Sequence, residues 1–170
     1  MAMRKLTPAK FVRAVFRDFM SESGLEPRLF GPHMRITHAS PGKVDFELEV
    51  TQHHTNRLKI LHGGTIASMV DFGGSLAVAS HGLFATGVST DLNVTYLSNG
   101  GAVGQTVKAS AVCDRIGKTL AYTTVTFRNE SGELAARGSH TKFIAKAWGT
   151  QEPYTTDKGH GEGEEDSKNE

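Results

Sequence analysis

One apolar segment near the middle of the chain, residues 64–80, constrains the fold more than any other stretch. Its single fully charged side chain is Asp71, and no other Asp, Glu, Lys or Arg occurs between Lys59 and Asp91. Apolar or small residues occur all round a helix drawn through this segment, and such a helix is buried on most sides. Residues 60–80 also contain four glycines and several hydroxyl side chains, so the segment is typical of a core helix and not of one that spans a bilayer.

The isolated carboxylate of Asp71 is the first candidate for chemistry. A buried carboxylate is costly unless it is paired or hydrogen-bonded, and burial would raise its pKa toward values useful in general-base catalysis. The alternative is a structural aspartate that hydrogen-bonds a neighbouring backbone or a partner chain. His62-Gly63-Gly64 stands at the start of the same helix. Glycines there let a ligand approach N–H groups that have no partner within the helix, and the helix dipole favours an anion or a developing oxyanion.

The other elements follow from hydrophobic periodicity and turn residues. Thr7-Pro8 is typical of an N-cap followed by proline in the first turn, which predicts an initial amphipathic helix. Strands are predicted over residues 28–37, 44–50, 87–98, 105–114, 119–129 and 133–145. Hairpin turns are predicted at residues 99–101, 116–118 and 131–132. This order predicts an α+β fold, in which an antiparallel sheet wraps around one central helix.

Length and charge predict one main domain with two appendages. At 170 residues the chain suits one compact core. We expect an N-terminal helical segment (1–27), the main domain (28–147) and an acidic, disordered tail (148–170). Residues 151–170 carry seven acids and two lysines, which leaves 11 acids against 17 bases in the body. A basic body suits an anionic ligand such as a nucleotide or coenzyme A, although ordinary solvated lysines are the alternative.

Cysteine and histidine usage narrow the class of protein further. The only cysteine, Cys113, excludes an internal disulfide framework and favours a reducing compartment. No histidine spacing matches a zinc signature, so we expect neither a metal nor a cofactor. We expect a cytoplasmic location, with a mitochondrial one as the alternative because residues 1–20 are basic and acid-poor until Asp18. Scattered bases without interleaved aromatics argue against nucleic-acid binding, and we expect no membrane span.

Several motifs with intact spacing point together to one family. They are His54-Thr55-Asn56, Leu61-His62-Gly63-Gly64, Val70-Asp71, the run from Gly87 to Tyr96, the run from Gly117 to Ala121, and His140-Thr141-Lys142. Jointly they resemble the hotdog thioesterases of the phenylacetate-pathway and thioesterase-superfamily-member-2 type, over residues 41–146. The sequence departs from this family at residues 72–74 and 81–86, and the tail lies outside the match.

The resemblance implies an acyl-CoA thioesterase acting on fatty or aromatic acyl groups, as a homodimer or a dimer of dimers (a homotetramer), without a metal. It implies that the Gly63 N–H and the Asn56 side chain polarise the thioester carbonyl. Asp71 would activate the attacking water and Ser89 would help to orient that water. His62 would support the oxyanion site. The alternatives are a hotdog hydratase acting on enoyl or hydroxyacyl thioesters, and a non-catalytic acyl-CoA-binding protein.

Two features of this assignment concern geometry. Gly63 and Asp71 are eight residues apart, about 12 Å along one helix, which is too far for both to act on one carbonyl. A dimer with its central helices antiparallel would bring Gly63 and Asn56 of one chain to Asp71 of the other. By strand alternation we expect Ser89 to share a face with Asp91 and Asn93. The chain that donates Ser89 is left open.

Four cations near strand ends are candidates for the phosphates of coenzyme A. They are Arg115, Lys118, Arg137 and Lys142. Such side chains pair well with phosphate, although exposed cations at strand ends are also common without any ligand.

Overall fold

The computed structural model describes residues 6–149, which form three α-helices, two short 3-10 turns and six β-strands. The helices are α1 (Pro8–Glu22), α2 (Glu26–Leu29) and α3 (Gly63–Ala79), and the 3-10 turns span Gly31–His33 and Gln52–His54. The strands are β1 (Met34–Ser40), β2 (Lys43–Glu49), β3 (Val88–Tyr96), β4 (Thr106–Ile116), β5 (Leu120–Arg128) and β6 (Leu134–Phe143). All but the first two residues of the predicted acidic tail lie outside the described part of the chain.

All six strands join one antiparallel sheet in the order β1-β2-β4-β5-β6-β3. The long helix α3 packs against this sheet and contacts β2 to β6. Along β2, the buried side chains of Val44, Phe46 and Leu48 alternate with more exposed ones, as the sequence predicts. The predicted α+β fold with an antiparallel sheet around one central helix is confirmed.

The predicted hairpin at residues 99–101 is wrong. β3 pairs with β6 at one edge of the sheet, whereas β4 pairs with β2 and β5, so the chain crosses over between β3 and β4. The turn residues bind the segment before α3 instead: the Leu61 N–H donates to the carbonyl of Gly101 at 2.8 Å, and Ile60 forms a bridge with Ala102. A glycine-rich turn signal shows where a strand ends, but not which strand the chain pairs with next.

The first predicted strand, residues 28–37, is wrong in its first half. The chain there forms the short helix α2 and a 3-10 turn, and β1 begins only at Met34. Pro27 and Pro32 each lie in the first turn of one of these helical segments. Proline fits a first helical turn, where its missing N–H has no intrahelical partner. These two prolines favour the helical turns over an extended strand.

Helix α1 begins as predicted, since the Thr7 hydroxyl accepts a hydrogen bond from the Lys10 N–H at 3.4 Å. Its apolar face packs on α3 around the ring of Phe72. The ring centroids of Phe16, Phe19 and Phe30 lie 5.7, 5.1 and 5.6 Å from that of Phe72. The described part of this segment, residues 6–27, therefore contributes to the core. The cytoplasmic or mitochondrial location stays a prediction.

Glycines allow α3 and the sheet to approach closely at two points. A Cβ at Gly73 would lie 2.8 Å from the Phe46 ring, and a Cβ at Gly138 would lie 2.5 Å from a methyl group of Val70. These contacts leave no room for a side chain, so glycine is required where helix and sheet meet.

Within residues 6–149, no helix combines the length and hydropathy needed to cross a bilayer.

We predict that Gly138→Ala lowers the free energy of unfolding by about 1–3 kcal/mol, because the new methyl group must displace Val70 or the sheet. Urea denaturation measures this change. Gly24→Ala is the control, since nothing lies within 4 Å of a Cβ there, and it should change stability by less than about 0.5 kcal/mol. Equal stabilities of the wild type and Gly138→Ala would contradict the close helix–sheet contact.

Candidate active site

The carboxylate of Asp71 accepts hydrogen bonds from two neighbouring strands. The Ser89 hydroxyl on β3 donates to Oδ1 at 2.7 Å, and Nε2 of His140 on β6 lies 3.1 Å from the same oxygen. Nε2 of His140 also lies 2.8 Å from the Ser89 hydroxyl. Oδ2 has no partner among the described residues, and the Asp71 side chain is 44% exposed. One carboxylate oxygen is therefore held while the other is open to solvent or to a ligand.

The hydrogen bonds fix the protonation of this cluster. The Ser89 hydroxyl donates a hydrogen bond to Asp71, so the Ser89 oxygen accepts one from His140. Nε2 of His140 must therefore carry a hydrogen. Nδ1 of His140 is buried and has no hydrogen-bond partner among the described residues. A buried N–H without an acceptor costs more than an unused lone pair, since the donor loses its hydration. The contacts therefore place a hydrogen on Nε2 of His140 and leave Nδ1 without a partner among the described residues.

The prediction that the pKa of Asp71 lies above its usual value is wrong. The hydrogen bond from His140 has the largest effect and, with smaller contributions from Ser89 and Lys142, lowers the pKa of Asp71 to about 2. Burial acts in the opposite direction but is outweighed. Donors that bind the charged form stabilise it more than partial desolvation destabilises it. Asp71 is therefore ionised throughout the physiological pH range.

A β-bulge places Ser89 on the face of β3 that contacts α3. The pairing with β6 shifts between Ser89 and Asp91, so the alternation of faces changes phase there. Val94 and Tyr96, beyond the bulge, also contact the core and α3, whereas Asn93 is exposed. The prediction that Ser89 shares a face with Asp91 and Asn93 is therefore wrong. The open question of which chain supplies Ser89 is answered, because it binds Asp71 of its own chain.

His140 belongs to one of the family motifs, but sequence reasoning assigned it no role in the site. It is fully buried, and a Cβ at Gly74 would lie 2.5 Å from its Nδ1. Strand alternation along β6 puts Gly138, His140 and Lys142 on the face that packs against α3. A histidine at an inward position of a strand opposite a glycine-containing helix was a usable signal. The position of this histidine beside Asp71, however, depends on the pairing of strands that are far apart in the sequence.

The start of α3 presents one backbone donor that is not otherwise used. Nδ1 of His62 accepts from the Gly64 N–H at 2.7 Å, and the N–H groups of Thr65 and Ile66 bond to the carbonyl of His62. The Gly63 N–H has no acceptor within residues 6–149. The Tyr96 hydroxyl donates to the carbonyl of Gly63 at 2.7 Å, which fixes the following peptide. His62 is therefore an N-cap that leaves Gly63 as the free donor.

Asn56 lies in a tight loop beside this helix start. Thr55 and Leu61 pair across the loop, and the Asn56 carbonyl accepts from the Lys59 N–H at 2.9 Å. Its side-chain Oδ1 accepts from the Leu58 N–H at 2.9 Å, which identifies the oxygen end of the amide. Nδ2 has no acceptor among the described residues. The amide therefore directs its NH2 group away from the loop as a second available donor.

The candidate residues therefore lie in two groups, which we call candidate half-sites. Gly63 and Asn56 form one at the start of α3, and Asp71, Ser89 and His140 form the other. Gly63 and Asp71 lie in the same helix, eight residues apart, so the axial separation is about 12 Å. Hydrolysis needs its donors and its base within about 3 Å of one reacting group. Within one protomer the two half-sites cannot act on the same carbonyl.

The four candidate phosphate contacts divide into two kinds. Arg115, Lys118 and Arg137 are exposed, although Arg137 lies within β6 and not at its end. Lys142 is only 3% exposed, because its inward position on β6 puts it beneath α3. Its Nζ donates to the Ser75 hydroxyl at 2.7 Å. The prediction that Lys142 pairs with a coenzyme A phosphate is therefore corrected, since its ammonium does not reach the surface.

Comparison with known proteins gives consistent matches. The family model described as thioesterase superfamily matches residues 58–136. A Schizosaccharomyces pombe protein named as an esterase is 45% identical over 139 residues, which cover 82% of this chain and 86% of that protein. Human acyl-coenzyme A thioesterase 13 is 40% identical over 110 residues, 64% of this chain and 78% of the human protein. The crystal structure of zebrafish thioesterase superfamily member 2 superposes with a TM-score of 0.74 at 36% identity, covering 82% of this chain and 99% of the zebrafish chain.

We predict that Gly74→Ala slows acyl-CoA hydrolysis about tenfold or more, because the new methyl group would push His140 away from Asp71 and Ser89. Gly73→Ala is the matched control. Its methyl group would meet the Phe46 ring instead of His140. Initial rates are compared at a temperature at which thermal melts show both variants folded. Similar rates for the two folded variants would contradict a role for the position of His140.

Proposed function

This chain belongs to the thioesterase superfamily, and we propose that it hydrolyses fatty or aromatic acyl-CoA thioesters through a water molecule activated by Asp71. It is a thioester hydrolase, as its relationship to acyl-coenzyme A thioesterase 13 indicates. The observation that carries the proposal is the ionised Asp71 carboxylate, held through Oδ1 by Ser89 and His140 with Oδ2 open. Such a carboxylate suits the binding and deprotonation of water.

The proposed reaction begins with attack of the water oxygen on the thioester carbonyl carbon, while one water proton passes to Asp71. Negative charge develops on the carbonyl oxygen and is stabilised by the Gly63 N–H and the Asn56 amide. When the carbonyl re-forms, the C–S bond breaks. Coenzyme A leaves as a thiolate and takes up the proton from Asp71, so the products are a carboxylic acid and the free thiol.

The low pKa of Asp71 makes it a weak base in the open site. Substrate binding would exclude water from the carboxylate and strengthen its attraction for the proton of the one water that remains. Ser89 then orients this water by holding Asp71. His140 supports both side chains through its single Nε2–H.

Ser89 is proposed as an orienting group and not as a covalent nucleophile. In a serine–histidine–aspartate relay, the two imidazole nitrogens bind serine and aspartate separately. Here Nε2 of His140 contacts both, and Nδ1 faces no acceptor. The second imidazole nitrogen therefore has no partner among the described residues to which a proton could pass. Direct attack by water therefore fits the cluster better than an acyl-enzyme.

A second copy of the chain would complete each site. We propose a homodimer, alone or as half of a dimer of dimers, in which Gly63 and Asn56 of one chain face Asp71 of the other. In support, β3 is an edge strand, and its apolar side chains Val88 and Tyr96 are 64% and 52% exposed. An edge strand with exposed apolar side chains is suited to pairing with another strand.

The exposed cations Arg115, Lys118 and Arg137 remain the proposed contacts for the phosphates of coenzyme A. Charge-assisted pairs with phosphate would lower KM for the coenzyme A ester more than for a substrate without these phosphates.

The acyl group that the site prefers depends on the two helices that would meet in the dimer. A substrate panel addresses that preference directly.

We predict that thiol is released from fatty and aromatic acyl-CoA substrates, and that Asp71→Ala lowers kcat by about a hundredfold or more. Asp45→Ala is the control, because this carboxylate on β2 pairs with Lys43 on the outer side of the sheet. It should retain a rate within about twofold of the wild type. Folding of each variant is checked by circular dichroism.

An unchanged rate in folded Asp71→Ala would refute the role of this carboxylate. Consumption of an enoyl-CoA by hydration, without thiol release, would support the hydratase alternative. Tight binding of every acyl-CoA with no turnover would support a non-catalytic binding protein. Burst release of thiol followed by a trappable acyl-serine would replace water with Ser89 as the nucleophile.

A further inference from the structure

Lys142 is a buried cation for which the proposed reaction has no use. It lies on the inward face of β6, two residues beyond His140, and is only 3% exposed. Its Nζ donates to the Ser75 hydroxyl at 2.7 Å, and no carboxylate among the described residues lies within ion-pairing distance. A buried ammonium that meets a hydroxyl instead of an anion loses hydration without full compensation.

Two routes connect Lys142 to the Asp71 half-site. The Ser75 hydroxyl, which accepts from Lys142, donates in turn to the carbonyl oxygen of Asp71 at 3.0 Å. On the other side, Lys142 is the direct cross-strand partner of Ser89. Directly opposed residues have Cβ atoms about 5 Å apart on the same face of a sheet. Lys142 is therefore linked through Ser75 to the backbone of Asp71, and it is paired in the sheet with Ser89, which holds the Asp71 carboxylate.

The charges of the two groups act on each other. Lys142 is among the groups that lower the pKa of Asp71, and Asp71 raises the pKa of Lys142 in return. Burial has the larger effect on Lys142 and leaves its pKa below the usual lysine value. The attraction strengthens as the local dielectric falls, which is the change expected when a substrate covers the site. An apolar side chain of similar length would fill the space at lower cost but would carry no charge.

We propose that Lys142 is a positioning residue of the hydrolytic site, whose buried ammonium stabilises the Asp71 anion and, through Ser75, fixes the turn of α3 that carries it. This proposal rests on the proposed function. Asp71 on α3 is the charged group that acts on this ammonium, and His140 lies two residues before Lys142 on the same face of β6. The paired residue on β5 is the buried, uncharged Ala121.

The experiment compares the alkaline side of the pH–kcat profile in the wild type and in Lys142→Met. Thiol release is measured between pH 7 and pH 10.5 and corrected for uncatalysed hydrolysis. Wild-type kcat should fall as Lys142 loses its proton, at a pH below the ordinary lysine value because burial favours the neutral amine. Lys142→Met should lack this fall and should show a plateau about tenfold lower at neutral pH.

Two matched variants separate this explanation from others. Lys108→Met removes an exposed cation from the outer side of β4 and should leave the profile unchanged. Tyr96→Phe should keep the alkaline fall, which excludes ionisation of the Tyr96 phenol as its cause. An alkaline fall retained in folded Lys142→Met, or absent from the wild type, would overturn the proposal.

A second variant decides the question if Lys142→Met does not fold. Ser75→Ala removes the hydroxyl acceptor of the ammonium. The charged form of Lys142 should then be less stable, so the alkaline fall should move to lower pH. An unmoved profile would overturn the proposal. These results are separate from those for the function itself: if the wild type hydrolyses acyl-CoA and requires Asp71, a failure here removes only the role of Lys142.

Discussion

The hydrogen bonds that hold the Asp71 carboxylate inside the curve of the sheet are the interaction on which the rest of the site depends. A carboxylate on a buried helix is tolerated because Ser89 and His140 both donate to the same oxygen. Each donor imposes its own structural condition. Ser89 reaches Asp71 because β3 contains a bulge, and His140 has room because Gly74 has no side chain. The bulge in β3 and the glycine at position 74 both serve to bring donors to this one carboxylate.

Local sequence pattern predicted the elements but not all of their partners. The core position of α3 and the half-buried strand β2 follow from the hydrophobic pattern within single segments of 17 and 7 residues. The crossover between β3 and β4 did not, because residues 99–101 have the composition of a hairpin turn but bind the segment before α3. Pairing of β3 with β6 depends on contacts between residues 40 to 55 positions apart, which a local pattern does not contain.

The same limit applies to the site. The isolated charge and the family motifs identified Asp71 and Ser89, which do bind each other. The direction of the Asp71 pKa shift was mistaken, because it depends on a donor, His140, that cross-strand register brings into place. Lys142 was assigned to a surface ligand for a related reason. Lys142 lies on the face of β6 beneath α3 and not in solvent. Which face a residue occupies at this end of the strand depends on the register of the whole strand.

The separation of about 12 Å between Gly63 and Asp71 within α3 is the basis of the proposal that two chains form each active site. The most direct test uses purified mixed dimers, assembled from an Asp71→Ala chain and an Asn56→Ala chain that carry different affinity tags. One of the two sites would then have Asn56 from the first chain and Asp71 from the second. Shared sites predict that the mixed dimer regains about half of the wild-type kcat per dimer, whereas each parent dimer is nearly inactive. A verified mixed dimer as inactive as its parents would contradict the account.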